Sequence, residues 1–246
     1  MFAREPTEPD ERAVSEVLAF ILVFTIVIGS VTIVSVFGMQ SLTSYQEGEQ
    51  LRNAERAMDA LSDNFNDVVR YDGITTRSGE LNLRDGSITT NHEGTELTIN
   101  VEASNGSTLY EYTNTTGGLV YEAGSGTDTI AYEGGGIFRG DHTGNVTLER
   151  PMIRCTEDTA VISLLVIEQE SRTFQSSEIS QISISETNST RQTFTKAGDD
   201  VDEVIIEVGD SDYEMGWKRT LEQRGFNGTC EPERVTIHIV TAEVDY

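Results

Sequence analysis

The sequence predicts an α+β protein: a long N-terminal transmembrane helix continuing as an amphipathic helix, then a mostly antiparallel β-sandwich-like domain with one short helix near its C-terminus. Three observations carry this reading. Across residues 17–46 the only ionisable side chain is Tyr45. Between Leu51 and Val68 apolar residues recur at alternating spacings of three and four. From Tyr71 onward the period changes to two, with Gly-, Asn- and Asp-rich turns between short runs.

The apolar core, residues 17–37, would span roughly 30 Å as a helix, which is the thickness of a bilayer's hydrocarbon. Residues 1–12 carry Pro6, Pro9 and alternating charge, with only Phe2 to bury, and read as a disordered leader. After the apolar run, Leu51, Ala54, Met58, Leu61, Phe65 and Val68 form one stripe, and Glu55, Arg56, Asp59, Asp63 and Asp67 fall off it. Such a stripe packs on the chain's own β domain, or on other subunits as well. At about two and a half heptads it is too short for a free-standing coiled coil.

The strands follow in order. Asp85-Gly86 joins residues 80–83 to 87–90 as a hairpin, and residues 96–103 alternate cleanly. Residues 108–113 and 119–123 flank a second expected hairpin at 114–118, and residues 129–133 and 137–139 flank a third at Gly134-Gly135-Gly136. Residues 145–149 add a strand. Residues 160–167 are the most apolar stretch of the domain and are expected to be central, buried on both faces and paired with residues 179–185, 192–195 and 203–208. Residues 211–225 read as a short helix with Ser211 as N-cap, an apolar face of Met215, Trp217 and Leu221, and a closing glycine. Residues 234–244 alternate again and complete the sheet.

Composition excludes some functions. The net charge is -25, from 42 acidic against 17 basic residues, and the arginines are scattered singly, so there is no basic patch for nucleic acid. The two cysteines, Cys155 and Cys230, have no His or second Cys at zinc-ligand spacing; a disulfide is expected, with two buried thiols as the alternative. His92, His142 and His238 are isolated. No phosphate-binding loop, nucleophile elbow or zinc-protease helix is present, so no catalytic residue, cofactor or metal is assigned and the chain is read as a non-enzyme. The acidic run 199–203 lacks EF-hand spacing and reads as a solvated loop. N-glycosylation sequons begin at Asn105, Asn114, Asn145, Asn188 and Asn227, all after the apolar segment, which suits an extracellular domain.

Arg12 and Ala13 stand before the apolar core, whereas a secretory signal places its small residues after it. This arrangement resembles the class III leader of archaeal type IV pilins and archaellins, and the acidic, lysine-poor composition resembles haloarchaeal proteins. The chain is thus similar to the haloarchaeal type IV pilin/archaellin-like N-terminal domain family over about its first forty residues. The resemblance implies that a prepilin peptidase cuts after Ala13, leaving Val14 as the new N-terminus and the helix attached. It also implies that Glu16, the third mature residue where bacterial pilins place glutamate fifth, pairs with a neighbouring subunit's amine. The plainer reading makes Glu16 the water-exposed start of a membrane anchor, where a carboxylate suits the helix dipole. Residues 1–13 are then a leader, 14–70 a pilin-like helix and 71–246 an extracellular β-rich domain. Leu51, Ala54, Met58, Leu61 and Phe65 are candidate assembly contacts.

The expected function is that of a membrane-anchored, pilin-like cell-surface protein, a minor type IV pilus subunit or adhesion-related component. It would cross the membrane once, with its N-terminus cytoplasmic before processing and its C-terminal domain outside. The expected partners are the membrane, the peptidase and other pilin subunits. The alternative is a single-pass anchored ectodomain that binds a sugar, a cell-surface component or a protein partner without forming filaments.

Overall fold

The computed structural model describes residues 11–81, 86–124, 128–175 and 181–246; within the first helix the side chains of residues 11–14, 40, 41, 43, 44 and 47 are not described. Helix α1 (Glu11–Arg70) is 60 residues long. By contacts the chain divides inside it, into Met1–Gly48 and Glu49–Tyr246. In the first unit the 25-residue segment Ser15–Met39 has a mean hydropathy of 2.9 and none of it is buried. The hydroxyls of Thr25, Ser30 and Thr32 donate to the carbonyls of Ile21, Val27 and Ile28, so these polar groups are satisfied within the helix, as a hydrocarbon environment demands.

In the second unit the strands run β1 (Thr76–Glu80), β2 (Ser87–Asn91), β3 (Glu96–Ala103), β4 (Thr108–Thr115), β5 (Gly118–Glu122), β6 (Thr129–Glu133), β7 (Gly136–Asp141), β8 (Gly144–Glu149), β9 (Met152–Cys155), β10 (Thr159–Ile167), β11 (Arg172–Gln175) and β12 (Gln181–Thr195). A single turn of helix, α2 (Lys196–Asp199), precedes β13 (Val201–Val208), and α3 (Glu214–Gln223) precedes β14 (Thr229–Cys230) and β15 (Arg234–Asp245). Among the described residues the strands form three sheets, ordered β1-β12-β15-β10-β9, β11-β2-β5-β6-β7-β8 and β14-β13-β3-β4. Strands β10 and β15 pair in parallel, and the other pairs are antiparallel.

Two cores follow from strand alternation. The helical stripe packs with Ile88, Leu119, Tyr121, Ile130 and Tyr132 of the six-stranded sheet and with Leu165, Ile167, Ile182 and Val240 of the five-stranded sheet. The second core lies between the four-stranded sheet, α3 and the opposite faces of the other two, with Ile99, Val204, Trp217, Phe138, Ile162 and Ile237 in it. Strand β10 serves both, sending Leu164 and Val166 to one core and Leu165 and Ile167 to the other. It is buried on both faces at this end, as its unbroken apolar run predicts, while Val161 stays exposed.

Several expected pairings are corrected. Residues 108–113 and 119–123 are not a hairpin, because β4 pairs with β3 and β5 with β2 and β6. The intervening residues pass against the end of β10 instead, where Ile167 N donates to Thr116 O. Gly117, at φ +58, has Ile167 O where a Cβ would stand. Residues 82–85 of the hairpin expected at Asp85-Gly86 lie outside the described residues; on either side of them β1 pairs with β12, and β2 with β5 and β11. The partners of β10 are β15 and β9, not β12 or β13. The stretches expected at 179–185 and 192–195 are one strand, β12, irregular between Glu186 and Asn188, with Ile179 outside the described residues. Its middle is polar because it is solvent-exposed, which reads as a loop from hydropathy alone. The hairpin at Gly134 and Gly135 forms as expected, with both at positive φ.

The α3 helix begins at Glu214, with Tyr213 at the N-cap position and no side-chain cap of its own. The cap comes from elsewhere in the chain: Asn145 Oδ1 on β8 accepts from Gly216 N, and Asn145 Nδ2 donates to Asp212 O at 2.6 Å. Ser211 instead accepts from Tyr213 N at 3.3 Å, a turn before the helix. The short α2 was not expected from the sequence; Thr195 Oγ1 accepts from Gly198 N to start it.

The stripe is held by polar contacts as well. Asn66 Nδ2 donates to Gly135 O at 2.9 Å, and Tyr132 OH donates to Asn66 Oδ1 at 2.9 Å, all of it buried. Arg139 pairs with Glu55 on the helix at 3.0 Å and with Asp128 at 3.4 Å. Phe65 meets Tyr132 edge to face at 5.7 Å between ring centroids. Phe65→Ala should therefore lower the unfolding free energy of the β domain by about 3–5 kcal/mol. Phe20→Ala, on the unburied apolar segment, should change it by less than about 0.5 kcal/mol. Denaturant unfolding of the detergent-solubilised chain, followed by Trp217 fluorescence, reads both; equal losses would contradict this account of the stripe.

Candidate functional site

The residues singled out by sequence fall into separate places. Arg12, Ala13 and Val14 lie in helix α1 with side chains outside the description, and residues 1–10 lie outside it altogether. Glu16 is exposed on the same helix. Leu51, Ala54, Met58, Leu61 and Phe65 are buried in the β domain's own core. Cys155 and Cys230 form a disulfide with Cα atoms 6.2 Å apart, joining β9 of one sheet to β14 of another. Asn105, Asn114, Asn188 and Asn227 are exposed, whereas Asn145 is half-buried and occupied in capping α3.

Sequence reading found no site chemistry in the β domain, but the fold assembles a cleft of about 410 Å³. Its wall is the six-stranded sheet, through Thr89 and Asn91 of β2, Val120 and Glu122 of β5, and Thr129 and Glu133 of β6. Its rim is the Glu93-Gly94 turn and the loop 210–213, which brings Asp210, Ser211, Asp212 and Tyr213. Among the described residues no Lys or Arg lines it.

Glu133 is the unusual member. It is only 2% exposed, and burial pushes its carboxyl above the ordinary range, against hydrogen bonds from Thr95 and Trp217 that favour the charged form. Its Oε2 accepts from Thr95 Oγ1 at 2.8 Å, from Thr95 N at 3.4 Å and from Trp217 Nε1 at 3.3 Å. With the Thr95 hydroxyl committed to Glu133, Ser211 Oγ donates to Thr95 Oγ1 at 2.7 Å and itself accepts from Tyr213 N. This relay ends on a carboxylate. The Tyr213 hydroxyl donates to Thr129 Oγ1 at 2.9 Å, and burial pushes its pKa up to about 12, so it remains a donor at any physiological pH. Trp217 reaches Glu133 because Gly134 follows it in the turn: a Cβ there would meet the indole at 2.7 Å.

Signals for this cleft were present but unlinked. Glu133 alternates with Tyr132 on β6, and Trp217 is the single tryptophan, but only the fold brings them together across 84 positions of sequence. Elsewhere, His238 Nε2 lies 3.1 Å from Ser189 Oγ, a pair that resembles nucleophile and base. Its Nδ1 faces the Arg191 guanidinium at 3.3 Å. Burial and that cation hold the imidazole pKa below its ordinary value, which opposes the imidazolium a general base must become.

The class so defined is a disulfide-bonded β-sheet domain preceded by one helix long and apolar enough to cross a bilayer. The chain belongs to a family of unknown function, DUF7289, whose model matches residues 12–245. No curated protein and no solved structure matches it.

Two outcomes follow from this geometry. Because the folded pKa of Glu133 is raised, the folded state binds its proton more tightly than the unfolded chain, so its contribution to stability rises as pH falls through the folded value toward about 4.5. Glu133→Gln should therefore match or exceed wild-type stability at neutral pH and lose that advantage on acidification, measured as the difference in Tm between the two proteins across pH. Glycopeptide mass spectrometry should find Asn145 unmodified in folded protein, since its half-buried Nδ2 sits 2.6 Å from Asp212 O and carbohydrate there would crowd that contact, and Asn145→Ala should cost about 1–2 kcal/mol of stability.

Proposed function

We propose that this chain is a pilin-like, membrane-anchored cell-surface protein, made with a leader that a prepilin peptidase removes before Val14. The observation that carries the reading is the division of labour along α1. Its segment Ser15–Met39 is wholly unburied, and its stripe from Leu51 to Val68 is the spine of the β domain's core. A domain built on the C-terminal half of such a helix, with the apolar half left for membrane or neighbouring helices, is what the class III-type leader implies. The family match supports treating helix and domain as one unit, since it runs through both. The disulfide and the exposed sequons suit a domain outside the cell.

On this reading the filament contacts fall to the apolar segment and Glu16, because the stripe is already buried in its own domain. A carboxylate entering hydrocarbon costs a few kcal/mol, so Glu16 stays at the membrane interface until a partner's freed amine compensates it. The size of the β domain fits a minor subunit or an adhesion-related component better than a repeated shaft subunit. The reading of an anchored ectodomain without filaments draws on a different observation, the cleft at Glu133.

Mass spectrometry of membrane-extracted protein should find a mature N-terminus at Val14, and replacing Arg12 and Ala13 should leave an uncut precursor still in the membrane. Glu16→Gln should be processed and retained normally yet be missing from sheared surface filaments examined by electron microscopy. Recovery of the intact leader removes the pilin assignment. Wild-type protein that is processed but never found in filaments transfers the function to the anchored ectodomain.

A further inference from the structure

The cleft at Glu133 places a buried carboxylate among further acidic side chains. One carboxylate is set deep in the wall, with every protein hydrogen bond landing on Oε2. Its other oxygen, Oε1, accepts none among the described residues, although the side chain is 2% exposed and lines the cleft. Asn91 Oδ1, on the same wall, is enclosed and also without a partner. The Asn91 acceptor, removed from water and left unpaired, costs free energy unless something supplies a donor, and Oε1 is the carboxylate oxygen that no described residue engages. The cleft's hydroxyls are already committed: Tyr213 donates to Thr129, Thr129 to Gly140 O and Ser211 to Thr95, and Thr89 is paired with Thr173.

Among the described residues the rim adds negative charge and no positive charge. Glu93, Glu122, Asp210 and Asp212 are exposed around the mouth. They do not converge on a point, since no group of three or more His, Cys, Asp or Glu among the described residues is close enough to hold a metal ion. A compact divalent cation needs several oxygens at once within about 2.6 Å. Carboxylates spread around a cleft suit instead a ligand whose own length separates its donors.

We infer that the cleft binds a small organic ammonium, with one protonated amine on Glu133 Oε1 and the rest of the ligand satisfied by Asn91 and the rim carboxylates. Either an aliphatic diamine or an amino sugar supplies that group. A cation beside Oε1 offsets the burial that disfavours the charged carboxylate, so occupancy favours the ionised form for which Thr95 and Trp217 are arranged. The inference does not depend on whether the chain enters a filament, and its failure leaves the processing and Glu16 results untouched.

The chain carries its own reporter, because its only tryptophan is buried and donates to the same carboxylate. Detergent-solubilised full-length protein is titrated with cadaverine against pentanediol, and with glucosamine against glucose, at matched ionic strength so that screening is common to every arm. The expected result is a saturable change in Trp217 emission, confirmed by calorimetry, with cadaverine or glucosamine and not with its neutral counterpart; which amine binds identifies the source. Folded Glu133→Gln should weaken that binding by about tenfold or more. Should that variant not fold, Glu122→Gln with Asp212→Asn, both at exposed positions, should weaken it several-fold. The inference is overturned if the neutral compounds bind as well as the amines, if neither amine saturates, if calcium displaces cadaverine one for one, or if a folded variant binds like wild type.

Discussion

The β domain depends on one contact, the burial of the α1 stripe between two sheets. Leu51, Ala54, Met58, Leu61, Phe65 and Val68 occupy the space that joins the five-stranded sheet to the six-stranded one. Both sheets turn an apolar face to it, so hydrophobic surface of both is removed from water by the same helix. The polar contacts at Asn66 and Glu55 fix how deep and in what register the helix lies. Asn66 reads the carbonyl of Gly135, a residue whose positive φ aims the tight β6–β7 turn at the helix.

That turn ties the core to the cleft. Gly134 makes room for the Trp217 indole, and the indole donates to Glu133 one residue earlier on the same strand. The tryptophan also stacks on Phe138 at 5.0 Å and forms part of the second core. The buried carboxylate is therefore held by groups that the packing of both cores positions, not by a mobile loop. A charge kept in such a place at a cost to stability is the kind of feature that function, more than folding, explains.

The acidic surface and the buried acid follow different rules. Most of the 42 acidic residues are solvated, where each costs little and salt screens it. Glu133 is shielded by protein on nearly every side, so ionic strength reaches it weakly and its charge must be balanced locally. The composition that identifies the chain as acidic therefore conceals the one carboxylate whose position is distinctive.

Local patterns were enough for much of this. An apolar run long enough to cross a bilayer, a stripe at spacings of three and four, and alternation at two each reflect the geometry of a single element, so the long helix, its buried face, most strands and the helix around Trp217 were legible. The disulfide was legible because there were only two cysteines to pair. What the tertiary structure decided were relations between distant elements. The polar middle of β12 is a strand because β15 offers it a ladder, and β10 runs parallel to β15 because the chain between them crosses over. Helix α3 starts at Glu214 because Asn145, far back on β8, caps it, and no local rule can see a cap that arrives from another strand. The cleft is of the same kind: Thr95, Glu133 and Trp217 are ordinary residues in their own segments, and become a site only where three separate pieces of chain converge on one carboxylate.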